Sequence, residues 1–220
     1  MIGLAAFYGE RGESMGLWIS LEQQFRQPSG FLGLLAGFLL RINRGGIDWT
    51  IEQLDIQPTD HVLEIGFGPG YGIRRAANLA ARGRVAGVDF SQTMLQQATR
   101  RNAEAIDAGL VELCLGDATA LLYPGDTFHK AFATNGVYFW KAPLANLQEL
   151  HRVLKSGGRL ALYVIAKENL QKFRLTQTGV YQLYTGEDLV WLLTQAGFRQ
   201  VRFVTKAERH RTGICAVAEK

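Results

Sequence analysis

The chain predicts an α/β fold, a mostly parallel sheet with helices on both faces, and three observations predict it. From His61 onward, short apolar runs alternate with segments of helical period, the signature of parallel strands joined by crossover helices. The first run passes directly into a turn with glycine at every second position, His61-Val-Leu-Glu-Ile-Gly-Phe-Gly-Pro-Gly70. Later runs end on acidic or amide residues: Asp89, Asp117 just past its strand, and Asn135.

The elements follow in order. Residues 1–57 read as an N-terminal helical extension, and 58–220 as the domain proper. Pro28-Ser29-Gly30 is a stop-start signal, with Ser29 a cap for the helix that follows. Phe31, Leu34, Leu35, Phe38, Leu39 and Ile42 then recur at helical spacing. That apolar face needs a cover, so 31–44 reads as a lid or packing helix. Contact with a membrane surface through its basic end, at Arg41 and Arg44, is the alternative. A further helix runs over 49–54, before Pro58.

The first strand is expected over 62–66 and its helix over 71–81. The second strand spans 84–89, and Ser91 caps a helix reaching about 108, closed by Gly109. Strands at 110–115 and 130–134 come next, then a helix over 144–154. Gly157-Gly158 turns the chain into a fifth strand at 160–166. A polar insertion, 167–184, precedes Thr185-Gly-Glu-Asp, a helix start, and a helix to about 196. Two last strands, 200–205 and 213–218, form a hairpin, which makes the final strand antiparallel to the rest.

Composition bounds the function. At 220 residues, 47% hydrophobic and 20% charged, the chain is long enough for one domain with a full core. The net charge is +4, but the arginines occur in scattered pairs such as Arg74-Arg75 and Arg100-Arg101, so nucleic acid is not expected as a partner. Cys114 and Cys215 have no zinc spacing and read as reduced structural thiols; no metal site is expected. The apolar first nine residues lack the basic flank of a signal peptide, and Met15 is a second candidate start. No run is long enough to span a bilayer, so the expected location is the cytoplasm.

In open α/β sheets ligands bind at the carboxyl ends of the strands, where strand order reverses. Glu64 lies near the mouth of the glycine loop, where a carboxylate meets a cationic amine. Gly66, Gly68 and Gly70 let the backbone turn and approach a ligand. Asp89 can accept hydrogen bonds from both hydroxyls of a ribose. Asp117, also read as a turn former, can accept from an adenine amino group.

Five segments, VLEIGFGPG, AGVDFS, CLGDAT, KAFATNGVYFW and HRVLKSGGRLAL, resemble in order the motifs of class I S-adenosylmethionine-dependent methyltransferases. The last carries Ser156 where the family's L-x-P-G-G-x-L has proline. The resemblance covers residues 59–220 and comes closest to the small enzymes of the ubiquinone/menaquinone-biosynthesis type. It implies a Rossmann-like, seven-stranded, mostly parallel sheet with S-adenosyl-L-methionine as cofactor and S-adenosyl-L-homocysteine as product. It places Gly66, Gly68 and Gly70 beside the methionine part, Glu64 at its ammonium and Asp89 on the ribose. Phe90 and Ala118 flank adenine, Asp117 bonds its amino group, Tyr71 closes over the cofactor, and Asn135 lies beside the transferable methyl. Asn135 and Tyr138 are the catalytic candidates, with Phe139 and Trp140 as pocket walls.

The expected reaction is methyl transfer to a small, partly hydrophobic metabolite, driven by proximity and orientation. Specificity is expected from Trp18, Phe25, Phe31 and the insertion. His61, His129 and His151 read as structural, and His210 is the histidine left as a candidate base. RNA or protein methylation is an alternative, although Asn135-Gly-Val-Tyr138 lacks the two prolines of the amino-methylating Asn-Pro-Pro-Tyr motif. A binding protein that has lost transfer is another. A short-chain dehydrogenase is the remaining rival: Gly66-x-x-x-Gly70-x-Gly72 has its glycine spacing and Tyr163-x-x-x-Lys167 its catalytic pair. That pair must lie on a helix, whereas 160–166 reads as a strand, and the partner serine is missing.

Overall fold

Parallel pairing and a reversal of strand order set the frame. A computed structural model of the protein describes residues 44–172, 181–208 and 211–220. Most of the N-terminal extension, including 31–43, Trp18, Phe25 and Met15, lies outside the described residues, as does His210.

Seven strands form one sheet: β1 His61–Ile65, β2 Arg84–Asp89, β3 Val111–Leu115, β4 Phe128–Thr134, β5 Leu154–Ile165, β6 Arg199–Glu208 and β7 Arg211–Glu219. Their spatial order is β3-β2-β1-β4-β5-β7-β6. β1 through β5 pair in parallel, and β7 lies antiparallel between β5 and β6. The hairpin and the antiparallel last strand are as the sequence implied. The order reverses between β1 and β4, so their carboxyl ends open a crevice.

Successive strand residues point to opposite faces, and both faces are covered, which is why these strands read as unbroken apolar runs. Leu63, Ile65, Ala131, Leu160 and Leu162 pack on one face with α5 (Pro143–Val153) and α7 (Gly186–Gln195). Val62, Phe132, Ala161 and Tyr163 pack on the other with α1 (Arg44–Leu54), α2 (Tyr71–Leu79) and α3 (Gln92–Arg101). Register puts Glu64 level with Gly87 and Phe132, on this second face, beneath α1 and α2.

Helix α1 seats itself by Trp49, Ile51 and Leu54, all buried, with the Trp49 ring edge-on to Tyr163 at 6.1 Å. Each such side chain contributes about 1.5–3 kcal/mol when fully buried. Within the described residues α1 covers Arg44–Leu54 and so takes in residues before the 49–54 that apolar spacing suggested.

Two further boundaries differ. The helix expected over 91–108 is broken at Asn102 into α3 and α4 (Ala103–Asp107). The buried Asn102 amide at the break donates to the carbonyls of Ala98 and Gly70, tying the end of α3 to the glycine loop. Strand β5 starts at Leu154, before Gly157-Gly158, because Phe128 pairs with Leu154 across a register shift. A short α6 (Lys167–Leu170) opens the insertion. Cys215 is fully buried and Cys114 partly so, and both are free thiols.

Candidate active site

The site starts from backbone conformation. Gly66, Gly68 and Gly70 all take positive φ, 70°, 50° and 79°, so the loop after β1 folds back on itself. Gly70 is the tightest point: a Cβ there would stand 2.7 Å from the Ala98 Cβ and from the Asn102 Nδ2. Glycine is thus required both for the left-handed conformation and for the approach of α3. Asn135, just past β4, is another residue with positive φ (56°), a conformation that costs an ordinary residue about 1–2 kcal/mol and that asparagine tolerates. Its N–H donates to the Tyr163 carbonyl at 2.9 Å, which holds the turn against β5.

These turns meet at the crevice. A cavity of about 50 Å³ is lined there by Glu64, the loop residues Gly66, Phe67, Gly68 and Pro69, and Tyr71. Thr134 and Asn135 close it from β4, Arg44 and Ile47 from α1, and Arg101 from α3. Pockets that enclose a whole drug-sized ligand run to roughly 300–1,000 Å³. This one has room for one end of such a ligand.

Glu64 dominates the electrostatics. It is 0% exposed and neither carboxylate oxygen has a hydrogen-bond partner. Desolvation, and the charge of Asp89, push its pKa well above the usual carboxylate range, opposed by the nearby Ile73 amide, which lies outside hydrogen-bonding geometry. Asp89 is also buried, and desolvation raises its pKa too. However, its Oδ2 accepts the Gly68 N–H and its Oδ1 the Ser91 N–H, both at 2.9 Å. The two acids differ in that backbone donors stabilise the charge on Asp89. A carboxylate has about four lone-pair positions, so Asp89 keeps capacity for a diol after bonding both amides.

Gly72, in the first turn of α2, makes room for Glu64: a Cβ on it would lie 2.3 Å from Oε1. Gly72→Ala is expected to cost about 1–3 kcal/mol of stability by forcing the acid out of place. Thermal unfolding checks this, and an unchanged Tm would mean that Glu64 is freely displaced.

Of the sequence candidates, the structure brings Glu64, Gly66, Gly68, Tyr71 and Asn135 together around the cavity. Gly70 and Asp89 adjoin it through the loop. Phe90, 41% exposed, and Ala118 and Asp117 lie apart from it along the ends of β2 and β3. Asp117 Oδ1 accepts from the Thr119 amide and hydroxyl, both at 2.8 Å, the turn role considered above. Tyr138 is buried. Its hydroxyl accepts the Ile165 N–H and faces Asn135 Oδ1 at 3.3 Å and the Ile165 carbonyl at 3.4 Å. Phe139 packs on Tyr181 of the insertion at 5.0 Å, and Trp140 is buried.

Spacing did not reveal Arg44, Ile47, Asp48, Arg101 and Asn102. The Tyr71 hydroxyl donates to the Asp48 carboxylate (2.9 Å), Arg75 Nε pairs with Asp48 at 2.7 Å, and the Arg44 guanidinium stands 5.1 Å from the Tyr71 ring centre. Burial and the Asp48 charge raise the Tyr71 pKa. Together these contacts fasten α1 over the loop.

The rival dehydrogenase pair does not assemble. Tyr163 is fully buried near the carboxyl end of strand β5, while Lys167 begins α6. His61 and His129 stack edge to face at 5.4 Å, near the start of β1 and β4 and away from the crevice. His151 stacks on Phe198. Among the described residues no cluster of three or more His, Cys, Asp or Glu is placed to hold a metal, and no helix is long and apolar enough to cross a membrane.

Comparison with known proteins bears on the domain and the fold. Residues 62–158 match the family model described as a methyltransferase domain. An uncharacterized methyltransferase of Bacillus subtilis, YdaC, is 26% identical over 188 residues, covering 85% of this chain and 98% of that protein. The demethylmenaquinone methyltransferase of Symbiobacterium thermophilum is 36% identical over 110 residues, half of this chain and 44% of that protein. A solved S-adenosylmethionine-dependent methyltransferase from Aquifex aeolicus superposes with a TM-score of 0.65 at 22% identity, covering 78% of this chain and 86% of that one. The β3-β2-β1-β4-β5-β7-β6 order is that of the Rossmann-like methyltransferase fold. Residues 62–158 are a methyltransferase domain, and the fold is that of S-adenosylmethionine-dependent methyltransferases.

Proposed function

We propose that the chain methylates a small, partly hydrophobic metabolite by in-line displacement, and that the cavity at β1 and β4 receives the amino-acid end of the cofactor. The observation carrying this reading is Glu64, a buried acid without a partner, facing a glycine loop at the reversal of strand order. Burying an ionised carboxylate alone is costly, so the site fits a ligand that brings a cation to it.

Asp89 then accepts from the ribose while still holding Gly68. Phe90 and Ala118 flank the adenine, and Asp117 accepts from its amino group. Gly66, Gly68 and Gly70 follow the methionine chain, with Tyr71 above it. When bound, S-adenosylmethionine supplies a methyl group on an electrophilic sulfonium, so the protein's task is placement. Correct alignment can contribute roughly 7–11 kcal/mol of barrier lowering. Asn135 stands at the methyl, and Tyr138 positions Asn135 through its hydroxyl. Phe139, Trp140 and Tyr181 supply the apolar wall that favours a hydrophobic acceptor.

The test is formation of S-adenosylhomocysteine against a panel of small phenols, amines and carboxylic acids, with RNA and protein in parallel. Turnover confined to apolar small molecules supports the reading. Turnover confined to RNA, with affinity falling steeply as salt rises, would overturn it.

A further inference from the structure

The end of the sheet opposite the crevice holds a second group of titratable side chains. β4 pairs with β5 at Phe128↔Leu154 and again at Lys130↔Arg159, so the single residue His129 stands opposite residues 155–158. Extra residues of this kind re-aim side chains. Here Lys155 of β5 comes to His129, with its Nζ 3.0 Å from Nε2. On its other side the ring meets the start of β1. The His61 N–H donates to Nδ1 at 2.9 Å, and the His61 ring stands edge-on at 5.4 Å. Asp60 Oδ1 is 3.9 Å from the same Nδ1, while Asp60 Oδ2 accepts the Gln57 N–H at 2.8 Å.

A neutral imidazole has one N–H and one lone pair. Nδ1 uses the lone pair to accept from His61, so the ring's hydrogen is on Nε2. A second proton has to enter at Nδ1, where it displaces the His61 N–H. The imidazolium has two donors and no acceptor, and the carboxylate beside its Nδ1 is that of Asp60. Burial, and the charges of Lys155, His61 and Lys130, hold the His129 pKa below its usual value, with Asp60 opposing them.

We propose that His129 is a proton switch at the amino ends of β1, β4 and β5. Neutral, it accepts the His61 N–H and ties β1 to β4; protonated, it gives up that bond and turns to Asp60. The switch acts on the stability of the sheet, at the end away from the crevice, and does not depend on the function proposed above.

The folded-state pKa lies below that of the unfolded chain, about 6.5, so between the two values the unfolded chain binds more protons. The contribution of His129 is therefore complete above the unfolded value and lost as pH falls through the folded one. The buried Glu64 gives a slope of the opposite sign, so the quantity to follow is the difference between wild type and a His129 variant. His129→Asn serves, because Asn keeps an acceptor in the place of Nδ1 and does not titrate.

Thermal unfolding from about pH 5 to 8 tests the switch: the Tm of wild type should fall relative to His129→Asn as pH drops below about 6.5. NMR titration of the His129 ring, assigned by its absence from His129→Asn or through its own backbone, is the second measurement. The ring should titrate below about 6.5, at a higher pH in Lys155→Met and at a lower pH in Asp60→Asn. Equal pH dependence of Tm in wild type and His129→Asn overturns the proposal. So does a ring that titrates at about 6.5 or above, or one whose titration neither Lys155→Met nor Asp60→Asn moves.

Discussion

Replacing Glu64 by Gln is expected to weaken S-adenosylhomocysteine binding by about 100-fold or more, and at the same time to raise the Tm of the ligand-free protein. Both effects follow from an acid that is fully buried and has no hydrogen-bond partner. Removing one member of a buried charge pair typically costs about 2–5 kcal/mol of binding, and Gln removes the charge that meets the ammonium. In the ligand-free protein the same charge is a burden.

The sign follows from linkage. The folded-state pKa of Glu64 is raised, so between the unfolded value, about 4.3, and the raised value the native state binds more protons than the unfolded chain. Glu64 therefore contributes stability that is fully present below the unfolded pKa and is lost as pH rises through the folded one. Gln does not titrate, so the variant should lose this slope and be the more stable protein near neutral pH. Tm measured from about pH 4 to 8 in both proteins checks it. A variant that is less stable than wild type at pH 7 would show that the acid is paired in solution. A gain in stability with a loss of binding is the usual trade at a site built for its ligand.

Asp89→Ala should abolish measurable cofactor binding, at a price in stability that the Glu64 variant does not incur. Its two oxygens hold the Gly68 and Ser91 amides at 2.9 Å, linking the glycine loop to the end of β2. Hydrogen bonds to a charged group are each worth about 1.5–3 kcal/mol, and such losses are not additive, so a cost of about 2–4 kcal/mol is expected. Denaturant unfolding measures that cost and calorimetry the affinity. Retained affinity for S-adenosylhomocysteine would remove Asp89 from the ribose. Full stability with lost binding would mean that water replaces the two amide contacts.

The two acids differ in how far local sequence foretold them. Asp89 was readable because it ends an apolar run and precedes a serine cap, and Ser91 does accept from the Met94 amide at 3.3 Å. The place of Glu64 beside the glycine loop was readable from its neighbours, but its lack of partners was not, since that depends on how α1 and α2 cover its face of the sheet. Tyr138 is a similar case. Spacing offered it as a group facing substrate, whereas the fold buries it against Ile165 and leaves it in contact with Asn135. The arginine pair Arg100-Arg101 looked like scattered surface charge, yet Arg101 lines the cavity, next to the Asn102 that bonds Gly70.

Read alone, the amino-acid order determined the strands and their alternation with helices, the glycine loop, and the reversed final strand. These depend on periodicity, on backbone conformations that favour glycine, and on a hairpin, all set within a few residues. Tertiary structure decided which side chains share the crevice. Asp48 meets Tyr71 across 23 positions and Asn102 meets Gly70 across 32. Such meetings follow from how helices seat on a twisted sheet, and the spacing of residues along one segment carries no record of them.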